Sequence, residues 1–107
     1  MHKQTLSVIL PVFNASAFVE AAIRSILDQT FSDFELLVCD DGSTDDSLSK
    51  IKLISDPRIR IIQNPVNLGL IPTLNRCILE AKGELIARMD ADDIAHPTRL
   101  SRQMEYM

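Results

Sequence analysis

Long apolar runs are missing from this chain. No stretch approaches the roughly 20 consecutive apolar residues that a membrane-spanning helix needs. The opening Met1-His2-Lys3-Gln4-Thr5 leads into only a short strand-like run, so no signal peptide is expected. Cysteine is scarce. Cys39 and Cys77 are the two, both set inside apolar patterns, and no Cys/His spacing suits zinc. Buried free thiols in a reducing cytoplasm are the expectation, with a disulfide as the alternative. An excess of positive charge is also missing. The 11 Lys and Arg are outnumbered by 15 Asp and Glu, for a net charge of −4, and the basic residues are scattered rather than striped. That distribution argues against a nucleic-acid surface. Internal repeats, low-complexity tracts and linkers are absent too. The 107 residues suit one small domain, and 46% hydrophobic with 24% charged is an ordinary globular balance.

What is present is alternation. Leu6 to Val12 is short, β-branched and apolar, which reads as a strand buried on both faces. Asn14-Ala15-Ser16 offers a turn and a helix cap. Val19, Ala22, Ile23, Ile26 and Leu27 then recur at helical spacing. Phe34 to Cys39 reads as a second strand. Asp40 to Asp45 is a turn in which Ser43 and Thr44 are expected to cap a short helix running through Leu48, Ile51 and Ile54, broken by Asp56-Pro57. Ile59 to Ile62 is a third strand, and Asn64 to Gly69 a loop. Pro72 fits the first turn of a helix with Leu70, Leu74, Cys77, Ile78 and Ala81 on one face, ending near Gly83. Leu85 to Met89 is a fourth strand, and Pro97 opens a last helix with Leu100 and Met104 inward. Strand–helix alternation implies a mostly parallel α/β sheet with right-handed crossovers.

The run after the fourth strand, Asp90-Ala91-Asp92-Asp93, packs three carboxylates into four residues. Oxygen donors at that density suit Mg²⁺ or Mn²⁺, a cation that would bridge to phosphates. The alternative is a solvated acidic turn at a helix N-terminus. In a parallel sheet every carboxyl end lies on one edge, so Asn14, Asp41, Asn64 and Asp90 to Asp93 are expected to converge there, where ligands of open α/β sheets bind.

These stretches resemble the N-terminal, nucleotide-sugar-binding half of a family-2 inverting glycosyltransferase with the GT-A fold, a three-layer, Rossmann-like arrangement. The matching pieces are Leu6 to Asn14, Phe34 to Asp45, Asn67-Leu68-Gly69, Ala81 to Ile86 and Asp90 to Asp93, in that order. The resemblance implies that Pro11, Val12 and Phe13 line a base pocket, with core packing as the alternative role for Phe13. It implies that Asp41 accepts a hydrogen bond from the base, with an Asp-Gly turn as the alternative. Asp40 reads as structural. Asp90 and Asp92 match an Asp-x-Asp signature. Asp92 would ligate a divalent ion, Mn²⁺ or Mg²⁺, while Asp90 and Ala91 would sit at the nucleotide and Asp90 would also reach the metal or its waters. Asp93 would meet the donor sugar or cap the last helix.

The pattern also departs from many relatives. Thr73-Leu74-Asn75 stands where they read Ala-Arg-Asn, so a basic contact is missing, with Arg76 and Arg88 as candidate replacements. No catalytic base is expected within the chain. The family's base lies in an acceptor-binding half, and His96 beside Pro97 reads as a helix-start residue. The expected donor is a UDP-sugar, and the expected acceptor a polysaccharide or lipid-linked saccharide in the full enzyme. The location would be cytoplasmic or peripheral at the inner membrane face. An unpaired sheet edge offers a route to a homodimer. Two other readings stay open: a Mg²⁺-dependent phosphotransferase or phosphatase with Asp90 as nucleophile, and a non-catalytic module that binds nucleotide or dimerises.

Overall fold

A computed structural model describes residues 5–90. Ala91, Asp92, Asp93, His96 and the helix expected after Pro97 lie outside the described residues. Seven elements alternate: β1 (Leu6–Val12), α1 (Val19–Leu27), β2 (Phe34–Asp41), α2 (Ser47–Lys52), β3 (Ile59–Asn64), α3 (Leu70–Glu80) and β4 (Leu85–Arg88). All strand pairs are parallel, in the order β3-β2-β1-β4. Among the described residues no helix is long and apolar enough to cross a membrane.

The central strands are buried on both faces, and side-chain alternation divides their residues between two cores. Leu6, Val8, Leu10 and Val12 of β1 join Phe34, Leu36 and Val38 of β2 beneath Val19, Ile23 and Ile26 of α1 and Ile51 of α2. Ile9, Leu37 and Cys39 face the opposite way, with Ile62, and meet Cys77 of α3. The helices therefore lie on opposite faces of the sheet, giving three layers. Burying each large aliphatic side chain contributes about 1.5–3 kcal/mol, so these two clusters dominate the stability.

Several boundaries differ from expectation. β2 runs two residues past Cys39, through Asp40 and Asp41, because Val12↔Asp40 and Asp41↔Asn64 continue its two ladders. β3 likewise reaches Asn64. α2 ends at Lys52, before Asp56-Pro57, which leaves Leu53 exposed. The expected apolar stripe of α3 is only partly used: Thr73 and Cys77 are buried, whereas Leu70 and Ile78 are about half exposed. Gly83 does not cap α3, whose C-cap is Ala81 in extended conformation. Instead, a Cβ at Gly83 would lie 2.6 Å from the Ser7 main-chain nitrogen, so glycine permits the close entry into β4.

The cysteines are paired. Cys39 and Cys77 form a disulfide, contrary to the expectation of free thiols. β2 points Cys39 at the face that α3 covers, and both thiols enter one small core, which the apolar pattern of either segment alone does not reveal.

Candidate functional site

The chain leaves β1 toward β2 and β3 on one side, then returns to place β4 on the other side of β1. The strand order thus reverses between β1 and β4, and in open α/β sheets a crevice opens at the carboxyl ends beside such a reversal. A cleft of about 610 Å³ lies there. Pro11, Val12 and Phe13 from the end of β1, Asp41 from β2, and Arg88 and Asp90 from β4 line it. Asn14, Ala15 and Phe18 add one rim, and Asn67, Gly69, Leu70 and Thr73 add the other.

Two loops are locked in place around it. Asn14 adopts a positive φ of 48°, and its Oδ1 accepts the Thr44 N–H at 2.8 Å, while its own N–H donates to Ser43 Oγ at 3.0 Å. Asn14 thus serves the loop before α2 rather than capping α1. Ser43 and Thr44 do not cap α2 either. The N-cap position is Asp46, which makes no side-chain cap bond, and Asp45 just before it accepts the Ser47 N–H through Oδ1 at 3.0 Å. Asp40 is buried on the α1–α2 side and accepts the Ser43 N–H, in keeping with a structural role.

The second loop hangs on Asp41. Its Oδ1 accepts from the Leu68 N–H at 2.8 Å and from Asn64 Nδ2 at 2.9 Å, and its Oδ2 accepts the Gly69 N–H at 3.0 Å. Burial alone would raise the carboxyl pKa, but the hydrogen bonds from Leu68, Asn64 and Gly69, with Thr73 adding less, outweigh it and lower the pKa below its usual value. Asp41 is therefore an ionised, acceptor-only group near neutral pH. Gly42 beside it has φ 68°, and a Cβ there would lie 2.3 Å from the Val66 carbonyl carbon. The Asp-Gly pair therefore forms a turn and also a seat for residues 65–69.

Phe13 is not a core residue. It is 47% exposed at the cleft, and Phe18, which the sequence did not single out, is 56% exposed on the same rim. Val12 buries its side chain in the α1–α2 core. The two arginines separate clearly. Arg76 donates to the Gln63 carbonyl and, at 2.6 Å, to Asn64 Oδ1, and it does not line the cleft. Arg88 lines it, and its Nη2 donates to Asp90 Oδ1 at 3.1 Å, with both side chains about half exposed. Asn64 lies behind Asp41 rather than at the edge itself. Thr73 and Leu70 were also missed as cleft residues, because helical periodicity marks a face and not the loop that α3 abuts.

A three-layer parallel α/β domain with its cleft at the switch point has the architecture of a nucleotide-binding domain. The family model for glycosyl transferase family 2 matches residues 7–107, and the chain belongs to that family. It is 37% identical over 107 residues to the UDP-Glc:alpha-D-GlcNAc-diphosphoundecaprenol beta-1,3-glucosyltransferase WfgD of Escherichia coli, covering 100% of this chain and 42% of that protein. The solved structure of S. aureus TarS 1-349 in complex with UDP matches with a TM-score of 0.87 at 27% identity, over 94% of this chain and 31% of the other. Glucosyl-3-phosphoglycerate synthase from Mycobacterium tuberculosis, in complex with Mn²⁺, UDP and glucosyl-3-phosphoglycerate, matches with a TM-score of 0.70 at 31% identity, over 88% of this chain and 36% of the other. The fold is thus the GT-A type seen in glycosyltransferases. The chain spans roughly two fifths or less of the length of the curated relatives it matches.

The family implies a divalent cation. Asp90 fits one in kind: a half-exposed carboxylate at the cleft, offering the hard oxygen donors that Mn²⁺ and Mg²⁺ take. No group of three or more metal-ligating side chains occurs among the described residues, and Asp92, the second expected ligand, lies outside them.

Proposed function

We propose that this cleft binds the nucleoside-diphosphate part of a UDP-sugar, and that the chain is the donor-binding part of an inverting glycosyltransferase acting on a polysaccharide or lipid-linked acceptor. The observation that carries this reading is the meeting, at one switch-point cleft, of the exposed Phe13 ring, the ionised Asp41 and the Arg88–Asp90 pair. Phe13 and Phe18 offer apolar faces to a planar base. Asp41 offers an acceptor to a base N–H. Asp90, which lines the cleft with Arg88, would meet the ribose and phosphates, a role the resemblance extends to Ala91, and Arg88 would supply the positive charge that Leu74 cannot. Asp90 and Asp92 would hold Mn²⁺ or Mg²⁺, which as a Lewis acid stabilises charge on the departing nucleoside diphosphate. Family membership removes the phosphotransferase alternative for Asp90.

Calorimetric titration with UDP tests this. UDP binds in the presence of Mn²⁺ and binds less tightly in EDTA. Asp90→Asn and Asp92→Asn each weaken the Mn²⁺-dependent binding by roughly 1–3 kcal/mol, the range for loss of an interaction with a charged group. Equal affinity with Mn²⁺ and with EDTA would remove the metal role. Unaltered binding by a folded Asp90→Asn protein would place the ligand elsewhere.

A further inference from the structure

Thr73 lies in the cleft wall with Asp41. Its side chain belongs to a directed chain of hydrogen bonds. The Arg76 guanidinium can only donate, so the Asn64 atom it meets at 2.6 Å is the amide oxygen. That orientation turns the Asn64 amide nitrogen toward Asp41 Oδ1 at 2.9 Å and Thr73 Oγ1 at 3.0 Å, using both of its hydrogens. Thr73 Oγ1 is therefore an acceptor toward Asn64, and its own O–H is the one polar side-chain hydrogen of Asp41, Asn64 and Thr73 that these bonds do not use. The hydroxyl lies close enough to Asp41 to add the last of the contributions that lower its pKa. All three inner members, Asp41, Asn64 and Thr73, are buried.

We propose that the Thr73 hydroxyl is a specificity-determining donor that, beside the Asp41 acceptor, reads the imide edge of uracil. This deepens the donor-binding reading above and rests on it. Uracil presents an N3–H flanked by two carbonyl oxygens. The N–H donates to Asp41, and one flanking carbonyl accepts the hydrogen of Thr73. Cytosine presents a bare ring nitrogen flanked by one carbonyl and one amino group, so it sets an acceptor against the carboxylate, and its amino group stands where uracil offers the 4-carbonyl to Thr73. Adenine fails in the same way. Guanine carries an N–H beside a carbonyl, so this pair separates UDP from CDP and ADP but not from GDP. Asn64 and Arg76 are positioning residues, acting through Thr73 and Asp41. A site built to hydrogen-bond a ligand group discriminates strongly because the wrong ligand leaves buried polar atoms unpaired.

The test is the affinity of UDP, CDP and ADP, each with Mn²⁺, for the wild-type chain, Thr73→Val and Thr73→Ser. Wild type prefers UDP. Thr73→Val lowers the UDP:CDP affinity ratio about tenfold, and Thr73→Ser, which keeps the hydroxyl, retains the wild-type ratio. A loss of packing alone would weaken all nucleotides together and leave the ratio unmoved, which overturns the assignment. A second measurement needs no variant: on wild type, 2-thio-UDP or 4-thio-UDP, whose sulfur accepts poorly, binds several-fold more weakly than UDP, and equal binding of both analogues also overturns it. Wild type that binds none of the nucleotides sinks the donor-binding reading itself, whereas wild type that binds UDP alongside an unmoved Thr73→Val ratio sinks only the role of Thr73.

Discussion

Gly42 shows how one residue ties the fold to the site. It needs a positive φ for the turn after Asp41, and it needs the absence of a side chain because the 65–69 loop lies against it. Asp-Gly announces the turn in the sequence. The loop that presses on it does not, because its partner lies more than twenty residues away. Gly42→Ala is expected to cost about 2 kcal/mol or more, combining left-handed strain with displacement of the Val66 main chain. The denaturation midpoint checks this, and a midpoint equal to wild type would show that the loop is not seated there. Asp41 follows the same division. Its position at the cleft was legible from the end of a strand in a parallel sheet. Its three protein donors were not, since they come from β3 and the loop beyond it. The base contact and the turn role that seemed to compete for Asp41 are compatible, because a carboxylate has about four acceptor sites. Asn14 could be read as a cap but not assigned to a helix. Its side chain serves the loop before the following helix, a choice made by tertiary contact.

At the scale of elements, the strands were the most legible part, because period and burial agree. Four runs of β-branched and apolar residues became four parallel strands, and only their ends moved, where ladder partners extended them. The helical stripe of α3 was less faithful. Apolar residues recur along it, yet the sheet beneath takes only Thr73, Cys77 and part of Leu74. Nothing in the pattern signalled the polar pin at the amino end of the sheet. Glu35, in an otherwise apolar strand, accepts from Ser7 Oγ at 2.6 Å, from the Lys82 N–H at 2.6 Å and from Arg60 Nη1 at 2.9 Å. Ser7 Oγ in turn accepts the Gly83 N–H at 2.8 Å. This pin joins β1, β2 and β3 to the turn between α3 and β4. Burial pushes the Glu35 pKa up, but the bonds from Ser7, Lys82 and Arg60 together hold it below its ordinary 4.5. The ionised form therefore favours the fold. Its contribution is complete above about pH 4.5 and drains away as pH falls through the lower folded value. Glu35→Gln should lower stability at pH 7 by about 1–3 kcal/mol and flatten the decline below pH 4.5. Chemical denaturation at several pH values reads both effects, and parallel acid slopes in the two proteins would show that other carboxylates set the acid limit.

The described residues form two helical layers on one sheet, and the α3 layer is the more lightly attached. It lies over β1 and β2 through the smaller of the two cores, with Ile71 and Leu79 largely exposed. Besides that core, and the Arg60 contacts to Glu80 at the far end of the helix, two links hold it near the cleft. One is the polar chain from Arg76 through Asn64 to Thr73 and Asp41 at the cleft end. The other is the Cys39–Cys77 disulfide, one turn further along the helix and spanning a sequence separation of 38. A loop of that length corresponds to about 4 kcal/mol of stabilisation in the chain-entropy treatment, which is an upper value where the unfolded chain retains structure. The two links divide the work, because Thr73 is seated by Asn64 and the Gly69 carbonyl rather than by the cysteine pair. The double variant Cys39→Ala/Cys77→Ala should therefore lose up to about 4 kcal/mol of stability while its UDP affinity, measured with Mn²⁺ below its melting range, stays within about threefold of wild type. Thiol titration of the unreduced protein in denaturant supplies the control: no reactive thiol is expected before reduction and two after it. Two reactive thiols before reduction would remove the covalent link. A large loss of UDP affinity in a folded double variant would instead show that the disulfide, and not the polar chain, positions the cleft wall.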